Sequence, residues 1–199
     1  MRIGLTGPIG AGKSTVAACW KDLGAAIVEG DAMGKLAVTT DTKLREELIR
    51  TFGGEIANEQ GEIISSRLAA TAFRDSQSQR ELTRLTFPVL YRYAVAEMSK
   101  AQSPAGIVVF DAALIYEWEI EVDFDQIVVV TAPREKLITQ AVTRLHITEF
   151  EANERLSRQI RAEEKAIRAN YVIVNNGSKE DLQEKAIKAW NWLKDLQTS

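Results

Sequence analysis

One cysteine, one histidine and four prolines are all that this 199-residue chain holds of those three residue types. Each scarcity excludes something. With Cys19 alone no internal disulfide can form, which fits a reducing compartment. Its place on the first expected helix makes it a small core residue. With His146 alone there is no Cys/His set for zinc and no Ser–His–Asp constellation for hydrolysis; His146 falls in no metal or triad pattern. Long apolar runs are missing too: none approaches the ~20 residues of a membrane span. The first strand-like run starts at the chain's own start, which leaves no room for a charged n-region, an apolar stretch and a cleavage site. A soluble cytoplasmic protein is therefore expected. Net charge is only −3, so neither a nucleic-acid platform nor an anionic membrane surface is implied. Repeats and low-complexity segments are absent. A hydrophobic content of 45% suits one globular domain with a substantial core, a monomer being expected.

What is present is a phosphate-binding loop. Gly7-Pro8-Ile9-Gly10-Ala11-Gly12-Lys13-Ser14 fits G-x-x-x-x-G-K-[ST] at every fixed position. A short apolar run around Ile3 and Leu5 precedes it, and a helical pattern opens at Ser14-Thr15-Val16-Ala17-Ala18, the strand–loop–helix setting that the motif requires. Glycines let the backbone curl so that successive N–H groups face an anion, and the helix N-terminus adds partial positive charge. Lys13 is placed to reach the β- and γ-phosphates, and the Ser14 hydroxyl to sit on Mg²⁺. The pattern implies a nucleoside triphosphate with Mg²⁺, and by itself leaves kinase, ATPase and GTPase open. No N-K-x-D guanine motif follows the fourth strand, which ends Val130-Thr131-Ala132-Pro133.

Five short continuous apolar runs read as buried parallel strands: 2–6, 25–28, 107–110, 127–130 and 171–174. Helical patterns alternate with them, so the expected fold is α/β, a phosphate-loop core with a five-stranded parallel sheet flanked by helices. Two helical insertions interrupt the alternation. The first holds helices over 41–52, 67–73 and 76–100, the last with a break near Pro88, and is a candidate substrate-holding subdomain. The second, 134–168, carries eight of the 25 Lys and Arg residues. There Arg155, Arg158, Arg161, Lys165 and Arg168 step by three or four, and would share one face of a continuous helix. They could form a lid that lays cations over phosphates, or a solvated face balanced by Glu149, Glu151, Glu154, Glu163 and Glu164. The division is a nucleotide core (1–30, 105–134, 169–199), a helical acceptor subdomain (31–104) and a lid (135–168). The last helix, 179–196, has an apolar stripe of Leu182, Ala186, Trp190 and Leu193, with Trp192 off it and exposed.

Two aspartates close strand-like runs. Asp31 follows Val28-Glu29-Gly30, where it could accept a proton from an attacking hydroxyl, help to hold Mg²⁺, or cap the helix starting at Ala32. Asp111 ends Ile107-Val108-Val109-Phe110, as the Asp of a Walker-B element does, or is a plain strand-end cap. Glu117 is a weaker carboxylate candidate.

Taken in order, these parts resemble the bacterial dephospho-CoA kinase family over nearly the whole chain. The family's opening G-L-T-G-G-I-G-S-G-K-S is matched by Gly4 through Ser14. Its V-D-A-D ends at the position of Asp31. Its F-G-x-x-I, D-G-x-I and L-A-x-x-x-F resemble Phe52–Ile56, Gln60–Ile63 and Leu68–Phe73. Its D-x-P-L-L-F-E resembles Asp111–Glu117, and its lid pattern R-x-x-x-Q-x-x-x-E-E-K matches Arg155, Gln159, Glu163, Glu164 and Lys165. Its A-D-x-V-I-x-N-x-G resembles Ala169–Gly177.

The resemblance implies a kinase that moves the ATP γ-phosphate to the ribose 3′-hydroxyl of dephospho-CoA. It implies Mg·ATP on Gly10, Ala11, Gly12, Lys13, Ser14 and Thr15, with Asn175 in the loop beside the adenine. Asp31 would be the proton acceptor, Lys13 and Arg144 catalytic cations, and Asp31, Asp111 and Arg155 substrate contacts. Departures from the family pattern are Glu29 for its first Asp, Phe87 for its His before Pro88, Ser65 for an Arg, Ala113 for its Pro, and Leu145 for the Asp after the lid Arg. They cluster where the resemblance puts acceptor contacts. A kinase for another small hydroxyl or nucleotide acceptor, and a nucleotide-binding regulatory relative without transferase activity, remain as alternatives.

Overall fold

The computed structural model describes residues 1–198. The chain forms two compact units, Met1–Val28 with the chain from Ala101 onward, and Glu29–Lys100.

The first unit is built on strands β1 (Arg2–Thr6), β2 (Ala26–Glu29), β3 (Val108–Asp111), β4 (Gln126–Thr131) and β5 (Tyr171–Val174). They form one five-stranded parallel sheet in the order β2-β3-β1-β4-β5. The register sets Leu5 beside Asp111 on one side and beside Val128 on the other. Continuous apolar runs form these strands because both sheet faces are covered. On one face Ile3, Leu5, Val109, Val128 and Val130 pack with Trp20, Leu182, Ala186 and Leu193, all buried. On the other, Phe110 and Phe124 stack at 5.9 Å between centroids. A side chain on Gly4 would collide with Ile127, Ile115 and Phe124, so that face is full.

Helices α1 (Lys13–Asp22) and α9 (Lys179–Thr198) pair over the first face. Trp20 is fully buried and donates its indole N–H to the Ala186 carbonyl at 2.8 Å, while its ring meets Trp190. Each such large apolar side chain contributes about 1.5–3 kcal/mol by burial. Trp192, expected to be exposed, is half-buried against the Tyr171 ring.

The expected continuous helix through 155–168 does not exist. The region folds as α6 (Arg134–Leu145), α7 (Glu149–Ser157) and α8 (Ala162–Arg168). His146 closes α6 in a left-handed conformation (φ 52°), and Thr148 with Glu151 makes a reciprocal capping box for α7. Residues 158–161 are not α-helical, and Lys165 is turned fully inward. The five cations therefore share no single face.

The second unit holds α2 (Gly30–Thr40), α3 (Thr42–Phe52), α4 (Ser65–Ala72) and α5 (Ser76–Lys100). Asp41 caps α3 by accepting the Leu44 N–H at 3.0 Å, and pairs with Arg92 at 2.6 Å. Leu44, Leu48 and Phe52, one turn apart, form the buried stripe of α3. The break expected near Pro88 is absent: α5 runs through it, although proline cannot donate a backbone bond there. Asp31 is not a cap either. It lies in the first turn of α2, one residue inside the helix, and Glu29 is the residue at the cap position. No helix among the described residues is long and apolar enough to cross a membrane.

Candidate phosphate-binding site

β1 ends at Thr6, and the chain then wraps through Gly7–Gly12 into α1. Gly7 and Gly10 have φ of 143° and 78°, which L side chains rarely adopt. A Cβ on Gly7 would strike the Val130 carbonyl, and one on Gly10 the Leu137 carbonyl. The loop is thus pressed between the end of β4 and the start of α6. Turn bonds shape it further: the Ala11 N–H donates to the Pro8 carbonyl at 3.2 Å and the Thr15 N–H to Gly12 at 3.0 Å. The N-terminus of α1 carries no side-chain cap and no acidic residue in its first turn. No side chain of the helix's own first turn therefore competes with an anion for its N–H groups and partial positive charge.

Lys13 lies across the loop, its ammonium donating to the Gly7 carbonyl at 2.9 Å and the Pro8 carbonyl at 3.3 Å. Arg144, in the last turn of α6, donates to the Ser14 hydroxyl at 2.5 Å. Two cations thus meet the mouth of the loop from opposite ends of the motif. Beside them a cavity of about 570 Å³ runs along α1, lined by Ser14, Thr15, Arg144, Lys179 and Gln183, with Ala18, Leu23 and Ile187 as its apolar wall. Cys19 also lines it, its thiol pKa raised by burial and then by the nearby Asp22 charge.

Asn175 is buried, and its side chain is committed to the protein. The amide donates to the Ala11 carbonyl at 2.9 Å and accepts from the Lys136 ammonium at 2.7 Å. Lys136 also donates to the Gly177 carbonyl at 2.6 Å. Asn175 therefore braces the phosphate loop and is not among the residues that line the cavity. Lys136 went unnoticed in the sequence, because nothing local marks which lysine of α6 will reach the loop after β5. Asp111 ends β3 next to Leu5, at the strand edge that leads into the loop. Arg155 is exposed on α7, and Asp31 is exposed on α2 in the second unit.

Glu117 is part of a buried cluster. Its carboxylate pairs with Lys165 at 2.7 Å and accepts the Ile160 N–H at 2.9 Å. Lys165 also donates to the Ala113 carbonyl at 2.7 Å. Burial pushes the Lys165 pKa down, and Glu117 opposes that shift. Next to this cluster, Gln159 accepts the Ile9 N–H of the phosphate loop at 3.0 Å.

Among the described residues no group of three or more His, Cys, Asp or Glu side chains could hold a metal ion. The donors at the loop suit a different mode. Mg²⁺ is a hard ion that keeps several waters and binds through phosphates with one or two protein oxygens, and the exposed Ser14 hydroxyl is an oxygen that could serve it.

The family model for dephospho-CoA kinase matches residues 1–181. A dephospho-CoA kinase of Anaeromyxobacter dehalogenans is 37% identical over 186 residues, covering 92% of this chain and 88% of its own. One of Aquifex aeolicus is 34% identical over 192 residues, covering 96% and 97%. The crystal structure of a Thermus thermophilus protein superposes with a TM-score of 0.78 at 33% identity, covering 95% of each chain. With a matching family model over most of its length and relatives of this similarity, the chain belongs to the dephospho-CoA kinase family.

Proposed function

We propose that this protein transfers the γ-phosphate of ATP to the ribose 3′-hydroxyl of dephospho-CoA, giving coenzyme A and ADP, in the cytoplasm and as a monomer. The observation that carries the nucleotide half is the convergence of Lys13 and Arg144 on a glycine loop whose backbone no larger residue could follow. Family membership supports the acceptor.

The loop residues Gly10 through Thr15 wrap the β-phosphate, through N–H groups other than those of Ala11 and Thr15, which the Pro8 and Gly12 carbonyls hold. Lys13 exchanges the Gly7 and Pro8 carbonyls for phosphate oxygens, a trade of neutral acceptors for charged ones that favours nucleotide binding. Arg144 leaves the Ser14 hydroxyl and moves onto the transferring phosphoryl, where its guanidinium neutralises charge spread over the equatorial oxygens. Ser14 is thereby released, and its hydroxyl would hold Mg²⁺, which when bound would offset the negative charge of the phosphates. The cavity along α1 takes the adenosine end, its apolar wall against the base and Lys179 at its edge. Asn175 keeps the loop in place from behind. Asp31 accepts the 3′-hydroxyl proton as the new bond forms, Asp111 contacts the acceptor side, and Arg155 on α7 joins the phosphates as the lid closes. The transfer is in line, and most of the acceleration comes from positioning and charge stabilisation.

The test is ADP release by the purified protein with Mg·ATP, with and without dephospho-CoA, together with the mass of the product. ADP release that requires dephospho-CoA, and a product heavier by one phosphoryl group, supports the reading. ATP binding with no coenzyme A formed contradicts it, and directs attention to other acceptors through Glu29, Ser65, Phe87, Ala113 and Leu145.

A further inference from the structure

The non-helical turn between α7 and α8 reaches the phosphate loop. The Gln159 side-chain oxygen accepts the N–H of Ile9, the residue just ahead of Gly10 and the turn into α1. Gln159 itself is held from the other side. Its own N–H donates to Leu156, and the next residue, Ile160, donates its N–H to Glu117. Glu117 is locked by the fully buried Lys165, whose ammonium also reaches the Ala113 carbonyl. That same carbonyl accepts from the buried hydroxyl of Thr6 at 3.2 Å, and Thr6 is the last residue before the loop. The contacts therefore make a closed circuit. It leaves the loop at Thr6, passes through Ala113, Lys165 and Glu117 to the 159–160 turn, and returns at Ile9.

A loop of this kind needs such a circuit. Its glycines make it permissive, so its shape must be imposed by neighbours if its N–H groups are to point at a phosphate without reorganisation. A carboxylate holding both an ammonium and a backbone N–H in a buried place is a stiff anchor. We infer that Gln159 is a positioning residue: it fixes the Ile9 N–H and so sets the direction of the phosphate donors that follow, while the Glu117–Lys165 pair holds Gln159 in place. The residue type fits the task. A neutral amide supplies the acceptor oxygen without bringing a negative charge next to bound phosphates, which a glutamate would.

The inference rests on the kinase reading only in that it assumes a nucleotide on the loop, and its test needs no acceptor. Three quantities are measured on the full chain: the affinity for Mg·ADP, the hydrogen exchange of the Ile9 amide, and the melting temperature. Gln159→Leu removes the acceptor oxygen; Ile9 exchange should quicken and ADP affinity fall about tenfold, with the melting temperature nearly unchanged, as for loss of one partly exposed hydrogen bond. Gln159→Glu keeps the acceptor. Ile9 should stay protected, yet ADP should bind more weakly, and added salt should narrow the gap. A merely structural role would not separate these readouts. ADP affinity within about twofold of the parent in both variants would overturn the inference, that being inside ordinary additivity error, and so would an Ile9 amide indifferent to Gln159→Leu. Should Gln159→Leu fail to fold, the split in Gln159→Glu decides alone: protection kept with affinity lost supports the inference, and any other combination refutes it. A parent protein that binds ADP but forms no coenzyme A would sink the acceptor assignment while leaving Gln159's role to these same measurements.

Discussion

The Glu117–Lys165 pair offers a sharp test of the energetics, because its two members are unequally buried. The Lys165 side chain is wholly inaccessible, while that of Glu117 keeps 16% of its surface. Glu117→Gln leaves an ammonium in the interior with the Ala113 carbonyl and a neutral amide. Removing one partner of a buried pair costs about 3–5 kcal/mol. The ammonium can escape by shedding its proton, and burial already drives its pKa down. From an unfolded value near 10.4, deprotonation at about pH 7 costs about 4.6 kcal/mol, which caps the loss. Lys165→Met leaves a carboxylate that still accepts from Ile160 and still touches water, so about 1–3 kcal/mol is expected. The double variant removes both charges and should cost less than the sum by about 1–3 kcal/mol. Urea unfolding with linear extrapolation measures all three. The sign with pH follows from linkage. In Glu117→Gln burial lowers the folded lysine's pKa with no carboxylate left to oppose it, so the unfolded state binds more protons and stability rises with pH. The deficit against the parent should therefore shrink between about pH 7 and about pH 9. Additive costs below about 1 kcal/mol, or a Glu117→Gln deficit flat with pH, would refute the assignment of this pair as a buried anchor.

Gly10→Ala should weaken Mg·ADP binding at least about tenfold, since the left-handed backbone and the Leu137 carbonyl together force the loop to move; calorimetric titration measures it. Asp31→Asn should lower turnover by about 10²-fold or more while ADP affinity stays within about twofold, and parent-like turnover would remove Asp31 from the chemistry. Asp41→Ala should cost about 1 kcal/mol through the lost α3 cap, or about 2–4 °C in melting temperature. Hydrogen bonding from Leu44, and then Arg92, holds the Asp41 pKa below the ordinary carboxylate range. That contribution is therefore complete above about pH 4, and it disappears as pH falls through the lower folded value, so the two proteins should converge in acid.

The strands were legible because a parallel strand covered on both faces must be a continuous apolar run, and β1 appears with the bounds its sequence suggests. The phosphate loop was legible because its glycines answer to fixed carbonyls of Val130 and Leu137. The order of the strands was not, since pairing joins β1 to β3 and β4 across a hundred residues and more. Cation spacing misled over 155–168. No glycine or proline marks the break after Ser157; the helix ends where Glu117, distant in sequence, takes the Ile160 N–H. For the same reason Lys165 reads as one of a row of surface cations until its partner is known. Pro88 misled in the opposite direction, because one missing backbone bond does not outweigh the packing of Leu85, Leu90, Ala94 and Met98 along α5. Asp31 and Arg155 were singled out by residue type and spacing, and Arg144 by the family resemblance. Of these, the first unit draws Arg144 onto the loop, through the Ser14 hydroxyl.

The central claim is that this loop delivers a phosphoryl group to dephospho-CoA. Its most direct test is the mass of the product after incubation of the purified protein with Mg·ATP and dephospho-CoA, with ADP followed in parallel. The account predicts coenzyme A and ADP in equal amounts, formed only when both substrates are present. Bound nucleotide with dephospho-CoA recovered unchanged would contradict it.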